Sequence, residues 1–289
     1  MAHESMFDRI VIVDWSANST PKTGRDSIWI ADHSVRDGSV RSANISTRLA
    51  AVDLLAELGQ SPGRCLIGVD FSLGFPAGTA EALLLDGGPR EAIWAELVTL
   101  ISDDDRNRNN RFGVASELNA RVSPGPGPFW GCPPSKATDF LTRAKVPCEP
   151  LPEWRAVEAQ LRSVGRRPFS AWQLLGVGAV GSQSLVGIPA VSALVDRVRR
   201  AGRTIDVWPF TCGLSVPTAD VVIAEVWPTL IDISEAVNDL GDSRVRDQVQ
   251  VEALAAHLAA GDLRAMFTPE VPEHARDVVV SEEGWVLGA

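Results

Sequence analysis

The chain has 289 residues, of which 45% are hydrophobic and 22% are charged, values that are ordinary for a globular enzyme with a sizeable core. No run approaches the ~18 apolar residues that cross a bilayer, and residues 1–9 lack the apolar stretch of a signal peptide, so we expect a cytoplasmic protein with no membrane partner. The net charge is −10 and the sequence has no basic stripe, which disfavours a protein that grips long duplex DNA.

Strand patterns dominate the first 72 residues. Three of them, separated by short loops, predict an antiparallel meander at residues 10–13, 27–31 and 39–45. The first ends in Asp14. A helical pattern at 47–58, ended by Gly59, leads to a fourth strand at 64–71 that contains Asp70. Because a helical crossover lets the fourth strand run parallel to the first, Asp14 and Asp70 should lie at the same end of neighbouring strands.

The middle of the chain, residues 73–203, differs in character because helical patterns alternate there with loops rich in proline and glycine. The helical patterns lie near residues 79–86, 90–102, 152–163 and 190–201. The loop 123–134 is too irregular for regular structure, and its length favours a lid near the site over a mobile flap. We therefore expect a large, mostly helical insertion in this part of the chain.

Strand and helix patterns return after residue 203. Strands are expected at 204–208 and 221–226, a helix at about 243–260 ended by Gly261, and a closing edge strand at 284–288. The expected fold class is therefore α/β, with a mixed sheet that combines the antiparallel meander with parallel strands.

Four acids stand out because apolar residues surround them. Asp14, Asp70 and Glu225 each follow an apolar strand pattern, and Asp247 lies on a helical face. That face is otherwise apolar, with Val251, Leu254 and Leu258. An ionised carboxylate in an apolar place is costly unless it is paired, hydrogen-bonded or bound to a metal. Asp14 and Asp70 can also be turn caps, Glu225 can pair with an arginine, and Asp247 can be favoured by the dipole at a helix start.

Several acids at one end of a sheet are the arrangement that binds Mg²⁺ or Mn²⁺, since these hard cations take oxygen ligands. Two such ions ~4 Å apart can activate a water and stabilise the leaving oxygen of a phosphodiester. The candidate catalytic and metal-binding residues are Asp14, Asp70, Glu225 and Asp247. Ser16, Lys22 and Arg244 are candidates for binding the substrate phosphate. The expected partner is a nucleic acid or a small phosphate-containing substrate, and a homodimer is compatible with the sequence.

Six short motifs between residues 14 and 251 carry a family resemblance that covers about residues 8–288. They are Asp14-Trp-Ser16, Val69-Asp-Phe-Ser-Leu-Gly-Phe-Pro76, Trp172-Gln-Leu-Leu-Gly-Val-Gly-Ala-Val-Gly-Ser-Gln183, Gly187-Ile-Pro189, Ala224-Glu-Val-Trp-Pro228 and Arg246-Asp-Gln-Val-Gln-Val251. These motifs resemble the blocks of an uncharacterised domain-of-unknown-function family of predicted ribonuclease H-like nucleases. Some members are labelled as cobalamin or molybdopterin biosynthesis proteins.

The resemblance implies a single ribonuclease H-like domain over residues 1–289, with 73–203 as an insertion within it. It also implies a role for each acid by position. Asp14 would be the first-strand acid, Asp70 the fourth-strand acid, Glu225 the acid of the next strand and Asp247 the acid of the last helix.

Three other interpretations remain open. Gly176-Val-Gly-Ala-Val-Gly181 matches the G-x-G-x-x-G motif of dinucleotide-binding enzymes, although no clean strand precedes it and Pro189 falls where a helix should follow. An actin-like nucleotide-binding or phosphotransfer module would also place Asp14 and the loop with Lys22 near phosphates. A non-catalytic scaffold of the same fold is the third possibility, because fold alone does not carry function.

Overall fold

The computed structural model describes residues 6–232 and 244–289, which form an α/β fold around a six-stranded mixed sheet. The strands are β1 (Arg9–Asp14), β2 (Ile28–Ser34), β3 (Val40–Ile45), β4 (Cys65–Val69), β5 (Ile205–Val207) and β6 (Val221–Glu225). Their order across the sheet is β3-β2-β1-β4-β6-β5. The first three strands pair antiparallel, whereas β4, β6 and β5 run parallel to β1. The expected meander followed by parallel strands is confirmed.

Strands β4 and β6 lie in the interior of the sheet, and their sequences explain this position. Every residue of Cys-Leu-Ile-Gly-Val and Val-Val-Ile-Ala-Glu is buried, as expected of parallel strands covered on both faces. The register sets Val69 opposite Val13 on one side and opposite Glu225 on the other. The ends of β1, β4 and β6 therefore meet at one edge of the sheet, where Asp14, Asp70 and Glu225 are found.

The helices, numbered in chain order, surround the sheet. They are α1 (Arg48–Gln60), α2 (Thr79–Ala82), α3 (Pro89–Leu100), α4 (Arg111–Val122), α5 (Ala156–Ser163), α6 (Val180–Arg200), α7 (Arg246–Ala260), α8 (Leu263–Phe267) and α9 (Arg276–Val278). Over residues 6–232 and 244–289, no helix is long and apolar enough to cross a membrane.

Two helices in the middle of the chain differ most from expectation. The helix expected at 190–201 begins ten residues earlier, so that Pro189 lies inside α6. Helix α4 was missed because Arg111 belongs to a charged run that suggests a loop, yet the helix buries an apolar face. The buried apolar residues of that face are Val114, Ala115 and Leu118.

Smaller differences occur at helix ends. Helix α1 continues past Gly59, and the N–H of Ser61 closes it on the carbonyl of Leu58. The helix expected from residue 243 begins at Arg246, and residue 243 itself lies outside the described part of the chain.

The C-terminal residues 284–288 do not form the expected edge strand. A π-helical turn (Val279–Glu283) precedes them, and a single bridge joins Val286 to Glu225. Hydrogen bonds to two glutamate carboxylates hold this part of the chain in place of the hydrogen bonds of a strand. Glu282 accepts from the N–H groups of Gly78 and Ala80, and Glu283 accepts from those of Ala77 and Ala156.

Two apolar layers cover the sheet, one on each face. Alternation along β1 sends Val11 and Val13 to one layer and Ile10 and Ile12 to the other. The first layer also contains buried residues of α1, α3, α4 and α6, so the helical segment between β4 and β5 shares its core with the sheet. The second layer is closed by α7, α8 and the C-terminal segment.

Close packing between α6 and the site-bearing edge of the sheet depends on Gly187. A Cβ at this position would lie 2.4 Å from the ring of Phe71, the residue after Asp70. Gly187→Ala should therefore lower the free energy of unfolding by about 1–3 kcal/mol, although alanine is the better helix former. The matched control is Gly113→Ala in α4, where a Cβ meets nothing within 4 Å. Urea unfolding should find the control as stable as wild type or more so, and equal stability of the two variants would contradict this packing.

Candidate active site

Two aspartates form the centre of the candidate site. Asp14 ends β1 and Asp70 directly follows β4, so the parallel register places them side by side. A side-chain hydrogen bond between the two carboxyl groups acts to raise the pKa of Asp14 and to lower the pKa of Asp70. The backbone N–H of Trp15 donates to Asp70 Oδ1 at 2.8 Å and fixes that carboxylate. Two acids in direct contact share a proton because both cannot be ionised at low cost.

The surroundings raise the pKa of both groups. Burial, followed by the charges of Asp70 and Asp247, raises the pKa of Asp14 well above its ordinary value. Burial also raises the pKa of Asp70 to about 7, although the hydrogen bonds from Trp15 and Asp14 act in the opposite direction. Both carboxyls keep partial exposure to the cleft described below. The pair therefore holds a proton in a place that a ligand can reach.

Asp247 is the third acid at this place. It is the second residue of α7, in the first turn, where the helix dipole favours a negative charge. Its Oδ2 accepts from the backbone N–H of Asp26 at 2.7 Å, which ties α7 to the loop between β1 and β2. Its charge is close enough to raise the pKa values of Asp14 and Asp70. The helical face predicted from the sequence thus points Asp247 toward the two strand ends.

Arg48 stabilises the loop that borders the pair, a role that no pattern in the sequence indicates. Its side chain is only 2% exposed and binds Asp103 through two nitrogens, at 2.5 and 2.6 Å. Its Nη1 donates to the backbone carbonyls of Ser16 and Asn18, at 2.9 and 2.8 Å. A buried arginine, paired with the more exposed Asp103, therefore fixes the backbone directly after Asp14.

The aspartates lie on the floor of an open cleft of about 1160 Å³. One wall is apolar and comes from the segment that leads into α6 and from the turn after β6: Phe169, Leu174, Leu175, Val177 and Trp227. In the described part of the chain, the charged lining consists of four aspartates and four arginines: Asp14, Asp26, Asp70, Asp247, Arg25, Arg111, Arg244 and Arg246. The cleft is thus balanced in formal charge although the whole chain carries −10.

The three residues proposed to bind phosphate have different positions. Ser16 lines the cleft, and its hydroxyl accepts from Asn18 Nδ2 at 2.9 Å. Arg244 also lines the cleft and is exposed, but it forms an ion pair with Glu252. Lys22 pairs with Asp26 at 3.6 Å and is not part of the lining that the described residues provide. Arg111, which the sequence analysis did not select, lines the cleft as a buried arginine.

Glu225 does not line the cleft with the other three acids, and its carboxylate is held by other groups. The guanidinium of Arg155 binds both of its carboxylate oxygens, at 2.6 and 2.8 Å. The backbone N–H of Leu73 donates a third hydrogen bond at 3.3 Å. Arg155 is fully buried and also binds Glu158, its partner in the first turn of α5. The arginine pair, one of the two interpretations open from the sequence, describes the observed contacts of Glu225.

Two loops also differ from expectation. The loop 123–134 does not border the cleft in the described structure. Instead, Phe129 packs between Phe75 and Trp172 in the core. The segment 176–181 does lead into a helix, because α6 begins at Val180. The preceding residues 169–175 contain no strand, so the strand–loop–helix context of a dinucleotide fingerprint is incomplete.

A divalent cation fits the donor chemistry of the aspartate pair. Within residues 6–232 and 244–289, no group of three or more His, Cys, Asp or Glu side chains has the arrangement of a formed metal site. The expected four-acid cage is therefore not preformed. Mg²⁺, however, commonly uses one or two protein carboxylates and completes its shell with water and substrate phosphate. Asp14 and Asp70, which lie side by side and line the cleft, are two carboxylates that could hold such an ion.

Comparison of the chain with protein-family models, with curated proteins and with solved structures gave no significant match in any of the three. The geometry of the site itself therefore carries the functional argument.

The raised pKa values predict how stability depends on pH without metal. Native Asp14 and Asp70 keep protons above the ordinary Asp pKa of about 3.9, so the native state binds more protons than the unfolded chain. Stability should then fall as the pH rises from about 4 through about 7. Asp14→Asn should flatten this fall in urea unfolding at pH 5 to 8 with chelator present. The exposed Asp105→Asn, which removes one charge elsewhere, should follow the wild-type curve, and a parallel curve for Asp14→Asn would refute the shared proton.

The buried Arg155 pairs predict a large loss of stability on truncation. Arg155→Met leaves the carboxylates of Glu158 and Glu225 buried without their cation, which should cost about 3–5 kcal/mol. The matched control is Arg197→Met, which breaks the more exposed pair with Asp53 and should cost less than about 1 kcal/mol. Chemical denaturation measures both. Similar losses in the two variants would show that the buried cluster does not stabilise the fold in this way.

Proposed function

We propose that this protein is a Mg²⁺- or Mn²⁺-dependent hydrolase of phosphodiester bonds, with Asp14 and Asp70 as cation ligands. Asp247 is the third carboxylate of the proposed site. The observation that carries the proposal is the position of Asp14 and Asp70 at the ends of two paired parallel strands, where both line an open cleft together with Asp247. A divalent cation bound there leaves both carboxylates ionised and paired with positive charge.

The order and direction of the first strands support the proposal more specifically than the α/β class alone. An antiparallel three-strand meander, followed by a helical crossover to a strand parallel to β1, is the order expected of a ribonuclease H-like core. Asp14 ends the first strand, Asp70 follows the fourth, and Asp247 lies in α7, the last of the long helices, so their positions are compatible with the motif resemblance. We therefore propose a ribonuclease H-like fold, in which Glu225 has a structural role through Arg155.

The chain's own residues provide the positioning that this chemistry needs. A bound cation would polarise the attacking water and stabilise charge on the phosphate oxygens. The Trp15 N–H holds Asp70 in place, and the Asp26 N–H holds Asp247 through Oδ2, which leaves Oδ1 for the cleft. Arg48 keeps the backbone of residues 16–18 at the rim. Ordered carboxylates lower the cost of bringing cation, water and phosphate together.

Charge balance in the cleft also favours an anionic substrate once the cation is present. The four aspartates and four arginines of the described lining sum to zero, so a divalent cation would give the cleft a net positive charge. The acidic remainder of the surface opposes long nucleic acids, because affinity for them comes mainly from neutralised phosphates. A short phosphodiester is therefore the preferred substrate in this proposal.

Calorimetry with Mn²⁺ tests the cation site. We expect wild type to bind and Asp14→Asn to bind at least ~10-fold more weakly, since one of two ligands loses its charge. Asp105→Asn is the control for loss of a surface charge. Short RNA and DNA should be cleaved with Mn²⁺ or Mg²⁺ and left intact by Asp14→Asn or with chelator.

Three outcomes would change the conclusion. Equal Mn²⁺ binding by wild type and Asp14→Asn would remove the metal assignment. Cleavage that continues with chelator would reject the mechanism. Protection from thermal unfolding by ATP without cleavage of diesters would favour the actin-like alternative, which the position of Ser16 and Asn18 at the cleft rim also fits.

A further inference from the structure

Arg111 differs from the other arginines of the cleft in how deeply it is held. It is the first residue of α4 and is 8% exposed, yet it lines the cleft. The other three, Arg25, Arg244 and Arg246, are exposed. Burying a guanidinium is costly, so a buried arginine needs neutral acceptors, an acid or an anionic ligand.

The hydrogen bonds of Arg111 use only part of its guanidinium. Nε donates to the hydroxyl of Ser182 at 2.9 Å, and Nη1 donates to Ser19 Oγ at 3.0 Å and to Asn109 Oδ1 at 2.7 Å. All three acceptors are uncharged. Across the described residues, no carboxylate forms an ion pair with Arg111 and no hydrogen bond uses Nη2. That nitrogen is also not among the buried atoms left without a partner, so it keeps some accessible surface on a side chain that lines the cleft.

The charge of Arg111 persists at neutral pH. Burial and the neighbouring charge of Arg48 lower its pKa to about 10, which still leaves the guanidinium protonated. Arg48 itself is neutralised by Asp103. Arg111 is thus a fixed positive charge whose orientation is set by three hydrogen bonds and by the ring of Phe112, 4.3 Å away.

The beginning of α6 adds a second electrostatic contribution at the same place. Ser182, which accepts from Arg111, is the third residue of this 21-residue helix, and its N-cap has no side-chain hydrogen bond. The positive end of the helix dipole therefore lies beside the guanidinium of Arg111, which contacts Ser182 through Nε. The N–H groups of Val180, Gly181 and Ser182 bond backbone carbonyls, so the helix contributes its dipole and not these donors. The apolar wall of the cleft, with Leu175 and Val177 exposed, leads directly into this helix start.

We propose that Arg111 and the start of α6 form an anion subsite that binds a phosphate group of a nucleotide-sized substrate. The adjoining apolar wall is placed to contact the apolar or planar group attached to that phosphate, and Trp227 in the lining offers a stacking surface. The inference deepens the proposed function, since it adds a substrate class to the same cleft. The subsite does not depend on the cation, because all of its groups belong to the chain.

Binding of inorganic phosphate and of adenosine 5′-monophosphate, measured by calorimetry with chelator present, tests the subsite. Wild type should bind both, with the nucleotide tighter than phosphate because of the apolar wall. Arg111→Met should weaken both by about tenfold or more, as expected for the loss of a charged hydrogen-bond donor. Arg25→Met, which removes an exposed arginine of the same cleft, should change the affinities by less than about threefold.

A second variant keeps the test decisive if Arg111→Met fails to fold. Arg111→Lys preserves the charge, but one ammonium cannot hold Ser182 and Ser19 and also reach a ligand. It should melt near the wild-type temperature and bind phosphate more weakly. Wild-type affinity in this variant, equal losses in the Arg111 and Arg25 variants, or no phosphate binding by wild type would each overturn the subsite. Phosphate binding without any diester cleavage would keep the subsite and reject only the proposed hydrolase.

Discussion

The parallel pairing of β1 with β4 is the constraint on which the candidate site depends. It places Val13 opposite Val69, so the next residue of each strand, Asp14 and Asp70, must meet at the same edge of the sheet. Neither carboxyl can move far from the other without breaking the ladder between two buried strands. The stability of the sheet therefore offsets the free-energy cost of placing two acids together. The same cost explains the raised pKa values of both acids and the proton that they are expected to share.

At the end of the third strand of the same edge, β6, the acid has a cationic partner. Glu225 lies one strand further along, opposite Val69, and is also buried, but Arg155 neutralises it by a bidentate ion pair. Arg155 further binds Glu158 and the backbone carbonyl of Glu283, so it joins α5, β6 and the C-terminal segment. The edge thus has a neutralised half that stabilises the fold and an uncompensated half that faces the cleft. This division is the physical reason why the proposed cation site includes Asp14 and Asp70 and leaves out Glu225.

The sequence was sufficient for features that depend on local pattern. Apolar runs of period two or without gaps predicted all six strands, and the strand-end positions of Asp14 and Asp70 followed from the crossover rule. The inward direction of Asp247 followed from helical spacing alone. The ends of the helices were predicted less accurately than the strands. Pro189 is tolerated inside α6 and Gly59 inside α1 because of tertiary contacts that no local sequence pattern reports. The ribonuclease H-like assignment stays a prediction.

Features that depend on ion pairs between residues far apart in the chain could not be predicted from the sequence. Arg155 and Glu225 are 70 residues apart, and Arg48 and Asp103 are 55 apart, so no motif could match each arginine with its acid. The same limit concealed Arg111, whose run of charges near residue 106 resembles a solvated loop. The structure separates these arginines by their partners: Arg48 and Arg155 are neutralised by carboxylates, whereas Arg111 is held by neutral oxygens.

The electrostatic potential inside the cleft depends on which of these arginines are neutralised. A neutralised arginine adds order but little net potential, whereas a buried arginine held by dipoles keeps its charge in a region where water screens it weakly. Arg111 and the aspartate pair therefore form two positions of opposite charge in one cavity. In the proposed site, a metal–phosphate pair would satisfy both positions more completely than either ion alone. Cation and phosphate should consequently bind with positive coupling, since each reduces the charge imbalance that the other leaves behind.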